Sequence, residues 1–242
     1  MKTKLTLVLT LSVAFVFAQD SIKKNIIKTN LPALAYKNLN LQYERVLTKR
    51  SSLLLSIGYI PSGSVPFKSN LENYVSEEDH HYFNEAQLGY FSLTPEYRVY
   101  LGKGYGKGFY FAPYYRYSKF TFENVNITFE NDLGADENLD LEGDISAHSF
   151  GLMLGVSFNL SKNLVLDWWI VGGHYGNSSG NAIGRTNFTL SPTEQQRVQD
   201  ELENIDLPLI DEKITVNSNG GTMKFDGEWA GLRSGITLGF RF

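Results

Sequence analysis

Eight charged residues lie in regularly patterned stretches of this 242-residue chain and are the first candidates for chemistry. They are Lys28, Glu44, Glu96, Arg98, Arg116, Asp167, Arg233 and Arg241. Each lies in a stretch where polar and apolar residues alternate, so all eight are predicted to face the same side of a β-sheet. If that side of the sheet faces a protein interior, the charges on it must form ion pairs to be stable. The leading interpretation is an interior filled by ion pairs, and the alternative is a narrow gated pore or small-ligand site.

Acidic residues are concentrated in three long connections, 61–86, 123–144 and 176–228. These hold 22 of the 26 acids of the chain, against five Lys or Arg. The second connection has six carboxylates close enough in sequence to share a hard cation such as calcium. They are Asp132, Asp136, Glu137, Asp140, Glu142 and Asp144. Because their spacing does not match an EF-hand, solvated loops are favoured, and we predict no bound metal or cofactor.

One histidine stretch is a candidate for covalent catalysis. His174-Tyr175-Gly176-Asn177 resembles the His-x-Ser-Asn motif of outer-membrane lipid A deacylases, in which the imidazole activates the Ser. Gly176 occupies the Ser position here, and Ser178 and Ser179 lie further along. His148 and Ser149 are neighbours in a predicted strand and therefore face opposite ways. We predict no catalytic residue and keep a lipid-modifying enzyme only as an alternative.

The elements that must position these residues are β-strands, and residues 231–242 show this most clearly. Their apolar positions are Leu232, Ile236, Leu238, Phe240 and Phe242. Polar or small residues lie between them, which is the pattern of a strand with one apolar face. An aromatic terminal residue after such a strand resembles the insertion signal of bacterial outer-membrane barrels. We assign that signal to Phe240 and Phe242.

Seven further stretches alternate in the same way, so the sequence predicts eight strands. Their expected limits are 25–33, 38–47, 52–60, 87–101, 109–122, 145–160, 164–175 and 225–242. The connections after the second, fourth and sixth strands are short, and those after the third, fifth and seventh are long and acidic. Short periplasmic turns and long outer loops are typical of membrane barrels. The predicted fold is all-β: an eight-stranded antiparallel transmembrane β-barrel with long extracellular loops and both termini in the periplasm.

One helix is predicted in the third long connection. Ser191 is a suitable N-cap, Pro192 suits the first helical position, and Glu194 completes a capping box. The helix should span 192–204, since Pro208 prevents its extension. Its acidic residues favour exposure to solvent, although capping of the barrel mouth or docking on a partner are alternatives.

Residues 1–18 are predicted to be a secretory signal peptide, and 19–242 the barrel domain. Lys2 and Lys4 precede an apolar run at 5–17, which is too short to span a membrane as a helix. The chain has no cysteine for disulfides. Its formal net charge of −4 argues against nucleic acid as a partner.

Three segments carry a resemblance to a known family: Ile27–Leu31, Leu39–Arg45 and Trp229–Phe242. They resemble small eight-stranded outer-membrane barrels of the OmpA and OmpW type. More narrowly, they are similar to a Bacteroidetes family of outer-membrane barrels of unknown function. The resemblance implies outer-membrane lipid and lipopolysaccharide as surroundings, insertion by the barrel-assembly machinery, and a possible outer-membrane protein partner. It implies no catalytic residue.

A non-enzymatic structural or interaction role in the outer membrane is the function that these observations favour. A narrow pore for ions or small solutes is the second hypothesis. Cation bridging between the acidic loops and lipopolysaccharide phosphates is a further use of those loops. A soluble, lipocalin-like exported barrel would need its apolar faces inside, which would place Gly151, Gly155, Gly235 and Gly239 outside.

Overall fold

The fold is described from a computed structural model over residues 23–64, 86–102, 104–204 and 210–242. These residues form nine strands and two helices. In chain order they are β1 (Asn25–Asn30), α1 (Leu31–Ala35), β2 (Leu39–Val46), β3 (Ser51–Ser64), β4 (Gln87–Tyr100), β5 (Gly108–Glu130), β6 (Asp136–Asn159), β7 (Leu164–Arg185), α2 (Pro192–Glu203), β8 (Ile210–Asn217) and β9 (Gly220–Arg241). Neither described helix is long and apolar enough to cross a membrane. The predicted signal peptide lies outside the described residues.

Eight of the strands close into an antiparallel ring. Each strand from β1 to β6 pairs with the next along the chain, β7 pairs with β9, and β1 pairs back with β9. The closing register places Ile27 opposite Phe240 and Thr29 opposite Leu238. Closure gives the backbone groups of the first and last ring strands a partner instead of an open edge. The predicted all-β, antiparallel class is confirmed.

Side chains alternate between the inside and the outside of the ring. In β2, Gln42 and Glu44 are buried, whereas Leu41 and Tyr43 are exposed. Every ring strand places a large apolar side chain outside. Examples, one per strand, are Ile27, Leu41, Leu53, Phe91, Phe111, Leu152, Trp168 and Ile236. The inner face of the ring is therefore polar and its outer face is apolar, which is the orientation that the alternation predicts.

Strands β5, β6 and β7 are much longer than predicted, and β9 begins at Gly220 rather than at 225. β5, β6, β7 and β9 have 23, 24, 22 and 22 residues, whereas β1 and β2 have 6 and 8. The long strands continue beyond the ring as a sheet to which β8 adds a fifth strand. The interpretation of 123–144 and 176–228 as acidic loops is therefore wrong for most of their length.

The prediction was wrong because buried apolar residues alternate with acidic residues in these segments, and the many acidic residues hid that alternation. Ile127 and Phe129 in β5 and Leu139 and Leu141 in β6 are buried on the inner face. Acidic and amide residues occupy the outer positions between them. A high density of carboxylates thus marks the solvated face of a hairpin rather than the absence of regular structure.

Helix α2 covers the inner face of this extension. Val198 and Leu202, one turn apart, are 0% exposed and pack in an apolar cluster with Leu139 and Met223. The predicted capping box of Ser191 and Glu194 is confirmed. The expectation of a solvent-exposed helix is wrong, because Val198, Leu202 and Glu194 bury one face, whereas Asp200 and Glu203 are exposed on the other.

Two polar contacts tie α2 to the β5–β6 hairpin. The Glu194 carboxylate accepts a hydrogen bond from the Asp132 backbone N–H at 3.1 Å. Arg197 donates to the Glu130 carbonyl oxygen at 2.6 Å and lies 3.5 Å from the Asp132 carboxylate. The helix and the hairpin tip are therefore held together by both apolar and polar contacts.

Replacement of Leu202 by Asp should release α2 from the sheet, because a carboxylate in an apolar cluster costs several kcal/mol. Tryptic cleavage after Arg197 should become at least about tenfold faster, since roughly 1.4 kcal/mol corresponds to that factor. Thr193→Asp is the matched control, as Thr193 is exposed in the first helical turn, where an acid is tolerated. Equal cleavage rates in both variants would contradict the packing of α2.

Candidate functional site

A network of five charged side chains fills the part of the ring nearest the short turns. The members are Lys28 of β1, Glu44 of β2, Glu96 and Arg98 of β4, and Asp167 of β7. All five side chains are 0% exposed. They come from four strands, three of which are not neighbours of β7 in the ring, so the network crosses the interior.

The carboxylate of Asp167 joins the two cations of the network. Its Oδ2 atom lies 2.6 Å from Lys28 Nζ and 2.5 Å from Arg98 Nη1. Lys28 also forms an ion pair with Glu44, and Arg98 Nε donates to Glu96 at 2.6 Å. The two positive charges therefore neutralise all but one of the three negative charges of the network.

Hydroxyl groups complete the shell around the carboxylates. Tyr100 donates to Glu44 at 2.7 Å, and Tyr110 donates to Asp167 at 2.8 Å. The Arg98 guanidinium lies 4.4 Å from the centre of the Tyr110 ring. The tyrosines therefore act as hydrogen-bond donors and as the apolar walls that exclude water from the ion pairs.

Inward glycines make room for these rings. A Cβ atom at Gly155 would collide with the ring of Tyr110, and one at Gly151 with the ring of Tyr114. Large and small inward residues are thus matched across β5 and β6, as close packing of a narrow interior requires.

The glycine-rich turn between β4 and β5 closes the ring beneath the network. Arg241 donates to the carbonyl oxygens of Tyr105 at 2.7 Å and Gly106 at 3.1 Å. Gly106 has a φ of +76°, which favours glycine. Tyr105 packs against the buried apolar side chains of Ile26 and Val46. Arg241 therefore holds a turn in place rather than joining the five-residue network.

Arg116 and Arg233 lie higher in the interior, away from the network. Arg116 donates to the Tyr90 hydroxyl and, at 3.1 Å, to Ser118 Oγ. The Arg233 guanidinium lies 4.7 Å from the Tyr114 ring and 4.9 Å from the Trp169 ring. No ion pair between described residues includes either arginine. Of the eight charges predicted to face inward, five form one network and three do not.

The predicted site residues did not include the inward tyrosines, since tyrosines near strand ends were interpreted as membrane-interface residues. Tyr100, Tyr110 and Tyr114 occupy inner positions of β4 and β5, at the same period as the inward charges. This two-residue spacing could have indicated that the tyrosines face inward. Tyrosines near strand ends, however, also fit a membrane-interface role. Their hydrogen bonds to carboxylates depend on distant strands and have no local signature.

The six clustered carboxylates of the β5–β6 hairpin do not converge on one point. Asp140 accepts from Asn126 at 2.9 Å, Asp144 lies 3.4 Å from Lys119, and Asp132 pairs with Arg197. The described residues contain no group of three or more acids, histidines or cysteines able to hold a metal ion. Spacing along extended strands separates side chains that are close in sequence.

The histidine candidates are also separated by the fold. His174 faces inward and stacks edge-on near Tyr114, with ring centres 6.5 Å apart, and Ser178 donates to the Gly227 carbonyl oxygen. His148 faces outward and bonds the Tyr115 hydroxyl at 2.6 Å, whereas Ser149 is buried. In the described part of the chain, no hydrogen bond joins a serine hydroxyl to either imidazole.

The two residues assigned to an insertion signal lie on the outer face of β9 or directly after it. Phe240 is exposed and is paired in register with Ile27 on one side and Leu164 on the other. Phe242 is exposed, and its backbone N–H donates to the Asn25 carbonyl oxygen at 2.9 Å. Their role in insertion stays a prediction.

Comparison with known proteins identifies a family for most of the chain. Residues 5–196 match the model of the family described as Protein of unknown function (DUF3575). No curated protein matches the chain.

Replacement of Arg98 by Met should destabilise the ring by about 3–5 kcal/mol, since it leaves three buried carboxylates with one cation. Urea unfolding followed by tryptophan fluorescence measures the loss. Arg185→Met is the matched control, because Arg185 is exposed on β7 and its loss should change stability by no more than about 0.5 kcal/mol.

The double variant Arg98→Met, Glu96→Gln should recover part of that stability, because it removes a carboxylate together with its cation. A double-mutant cycle measures the coupling, expected at roughly 1–3 kcal/mol for groups in contact. Strict additivity of the two single changes would contradict an energetic network.

Proposed function

We propose that this chain, which belongs to the DUF3575 family, is a bacterial outer-membrane β-barrel with a structural or interaction role rather than an enzyme or an open pore. Its ring is proposed to span the membrane with a closed interior. The sheet formed by β5, β6, β7, β9 and β8, together with α2, is proposed to extend outside the cell as the surface that meets partners.

The outer face of the ring supports the membrane location. Phe150 is 72% exposed and Leu232 is 82% exposed, and every neighbouring strand adds apolar side chains beside them. Soluble monomers rarely expose a contiguous apolar patch of more than a few hundred Å². A soluble calyx would need the reverse orientation, with the charges of the network outside. The ring therefore has the surface of a protein surrounded by lipid.

The limits of this apolar band also support the proposal. On β6 the band runs from Phe150 to Phe158, close to the about 9–11 residues of a tilted membrane strand. Beyond it the outer face becomes polar, as Tyr115 and Tyr117 on β5 are followed by Lys119, which pairs with Asp144. The short turns then lie on the periplasmic side, together with the start of β1 and the end of β9.

The closed interior is the single observation that most favours a non-conducting role. Fully buried ion pairs span the ring, and the Tyr105–Gly106 turn lies beneath them. Conduction needs a continuous polar path whose groups release the ion. Here the charged groups are engaged with each other, so the structural or interaction role is preferred to the pore.

The extension supports an interaction role because it is an ordered element with its own apolar cluster. Its buried residues Ile127, Leu190 and Phe225 pack together beneath α2. Its outer side presents polar side chains at regular spacing along β5 and β6. We propose outer-membrane lipid and lipopolysaccharide around the ring, the barrel-assembly machinery during insertion, and an outer-membrane or extracellular protein at the extension.

Two cysteine variants test the location and the orientation, since the chain has no cysteine of its own. Leu133→Cys, at the exposed tip of the β5–β6 hairpin, should react with a membrane-impermeant maleimide on intact cells. Lys162→Cys, in the β6–β7 turn, should react only after the outer membrane is permeabilised. Recovery of the protein in the soluble periplasmic fraction, or the opposite labelling pattern, would overturn the topology.

Single-channel recording in a planar bilayer tests the closed interior. The refolded wild-type protein should give no reproducible openings. Arg98→Ala with Asp167→Ala should give intermittent conductance, because it removes a contacting pair without changing the net charge. Arg185→Ala with Asp226→Ala is the matched control, as both residues are exposed. Reproducible openings of the wild type would favour the pore instead.

A further inference from the structure

A second group of basic residues lies in the interior above the closed network. The Arg233 guanidinium of β9 lies over the ring of Tyr114, the His174 imidazole of β7 stands edge-on to that ring, and Arg116 of β5 acts on Tyr114 electrostatically. The two guanidinium groups and the imidazole are close enough to interact electrostatically. Like charges gathered in a partly enclosed space repel each other unless an anion lies among them.

The hydrogen-bonding groups of this cluster are incompletely satisfied. Arg233 Nη1, Trp169 Nε1 and His174 Nδ1 are buried and have no hydrogen-bond partner among the described residues. Trp169 is only 3% exposed, so bulk water does not compensate its indole N–H. Buried donors such as Arg233 Nη1 and Trp169 Nε1 are nearly always bonded in proteins, so each requires an acceptor, which a water molecule or an anion can supply.

The lower network also has two buried atoms without a hydrogen-bond partner, Glu96 Oε2 and Arg98 Nη2, but its charges are paired. There, each carboxylate meets at least one cation, and two tyrosine hydroxyls complete the shell around Glu44 and Asp167. Here, the described residues supply cations and donors without a carboxylate in an ion pair with them. Glu96 has an electrostatic effect on Tyr114, and its carboxylate is engaged by Arg98.

We propose that Arg116, Arg233, His174 and Trp169 form a binding site for a tetrahedral oxyanion of the phosphate class. The donors come from β5, β7 and β9 and therefore approach from several directions, which suits an anion with three or four acceptor oxygens. A planar carboxylate offers two. Guanidinium groups bind phosphate oxygens through paired N–H donors, and their combined charge of +2 matches a phosphate dianion.

The site is reached from the side of the extension. Arg116, His174 and Arg233 each keep part of their side chain exposed, unlike the residues of the network below. Tyr90, which accepts a hydrogen bond from Arg116, lines a cavity of about 330 Å³ with Asn38, Gly89 and Phe120. Through Tyr90 this cavity adjoins Arg116, and a phosphate group would enter from this outer mouth.

This chemistry has two possible sources, inorganic phosphate and the phosphate group of a glycolipid headgroup. Phosphate binding in the upper interior requires neither the closed base of the ring nor the membrane location. Failure of phosphate binding would leave the conductance and labelling results unaffected. Failure of the conductance or labelling test would likewise leave phosphate binding unaffected.

Isothermal titration calorimetry of the full-length mature protein in phosphate-free detergent tests the site. Inorganic phosphate should bind with measurable heat, whereas chloride at equal ionic strength should not. Glucosamine 1-phosphate represents the headgroup source. Preference for the sugar phosphate assigns the site to a glycolipid phosphate, and equal affinities assign it to phosphate itself. Absence of binding for both compounds, or stronger binding of acetate, overturns the proposal.

Variants assign the binding to these residues. Arg233→Gln should weaken phosphate binding at least about tenfold, as expected for a lost charge-assisted hydrogen bond. Arg185→Gln, at an exposed position, should leave the affinity unchanged. Trp169→Phe is the second variant, because it keeps an aromatic ring beside Arg233 and removes only the N–H donor. It should weaken binding several-fold while retaining the wild-type thermal unfolding midpoint, and unchanged affinity in both site variants contradicts the proposal.

Discussion

The buried ion pairs of Arg98 are the interaction on which the rest of the structure depends. An unpaired guanidinium in this interior would cost several kcal/mol of desolvation. Contacts with Glu96 on its own strand and Asp167 on β7 offset that cost. Because β4 and β7 are separated in the ring by β5 and β6, these contacts set the width of the interior. The position of each inward residue nearby follows from that width.

Matching of large and small side chains is the second consequence of a narrow interior. Tyr110 donates to Asp167 across the ring, and its own ring occupies the space above Gly155. An alanine there would displace the tyrosine that completes the shell of the carboxylate. The polar network and the glycine pattern are therefore one packing solution, which explains why glycines occupy inner rather than outer positions of β6.

The inner side chains alternate in the same way in the upper interior and in the extension, but they differ in chemical type. Above the network, the inner side chains are cationic and aromatic, and their donors are incompletely satisfied, which suits a ligand. Beyond the ring, the inner side chains become apolar and pack under α2, with Val198 and Leu202 at the contact. The same alternation of side chains thus builds the closed base from β1, β2, β4 and β7, and builds the apolar inner face of the extension from β5, β6, β7 and β9.

The sequence by itself determined the all-β class, the inward side of each ring strand and the capped start of α2, since these depend on local alternation and capping. It did not predict the length of β5, β6, β7 and β9, because acidic residues on one face concealed apolar residues on the other. Only the tertiary structure decided that five of the eight charges meet while Arg116, Arg233 and Arg241 do not. Strand register sets those distances, and it arises from pairing between segments far apart in the chain.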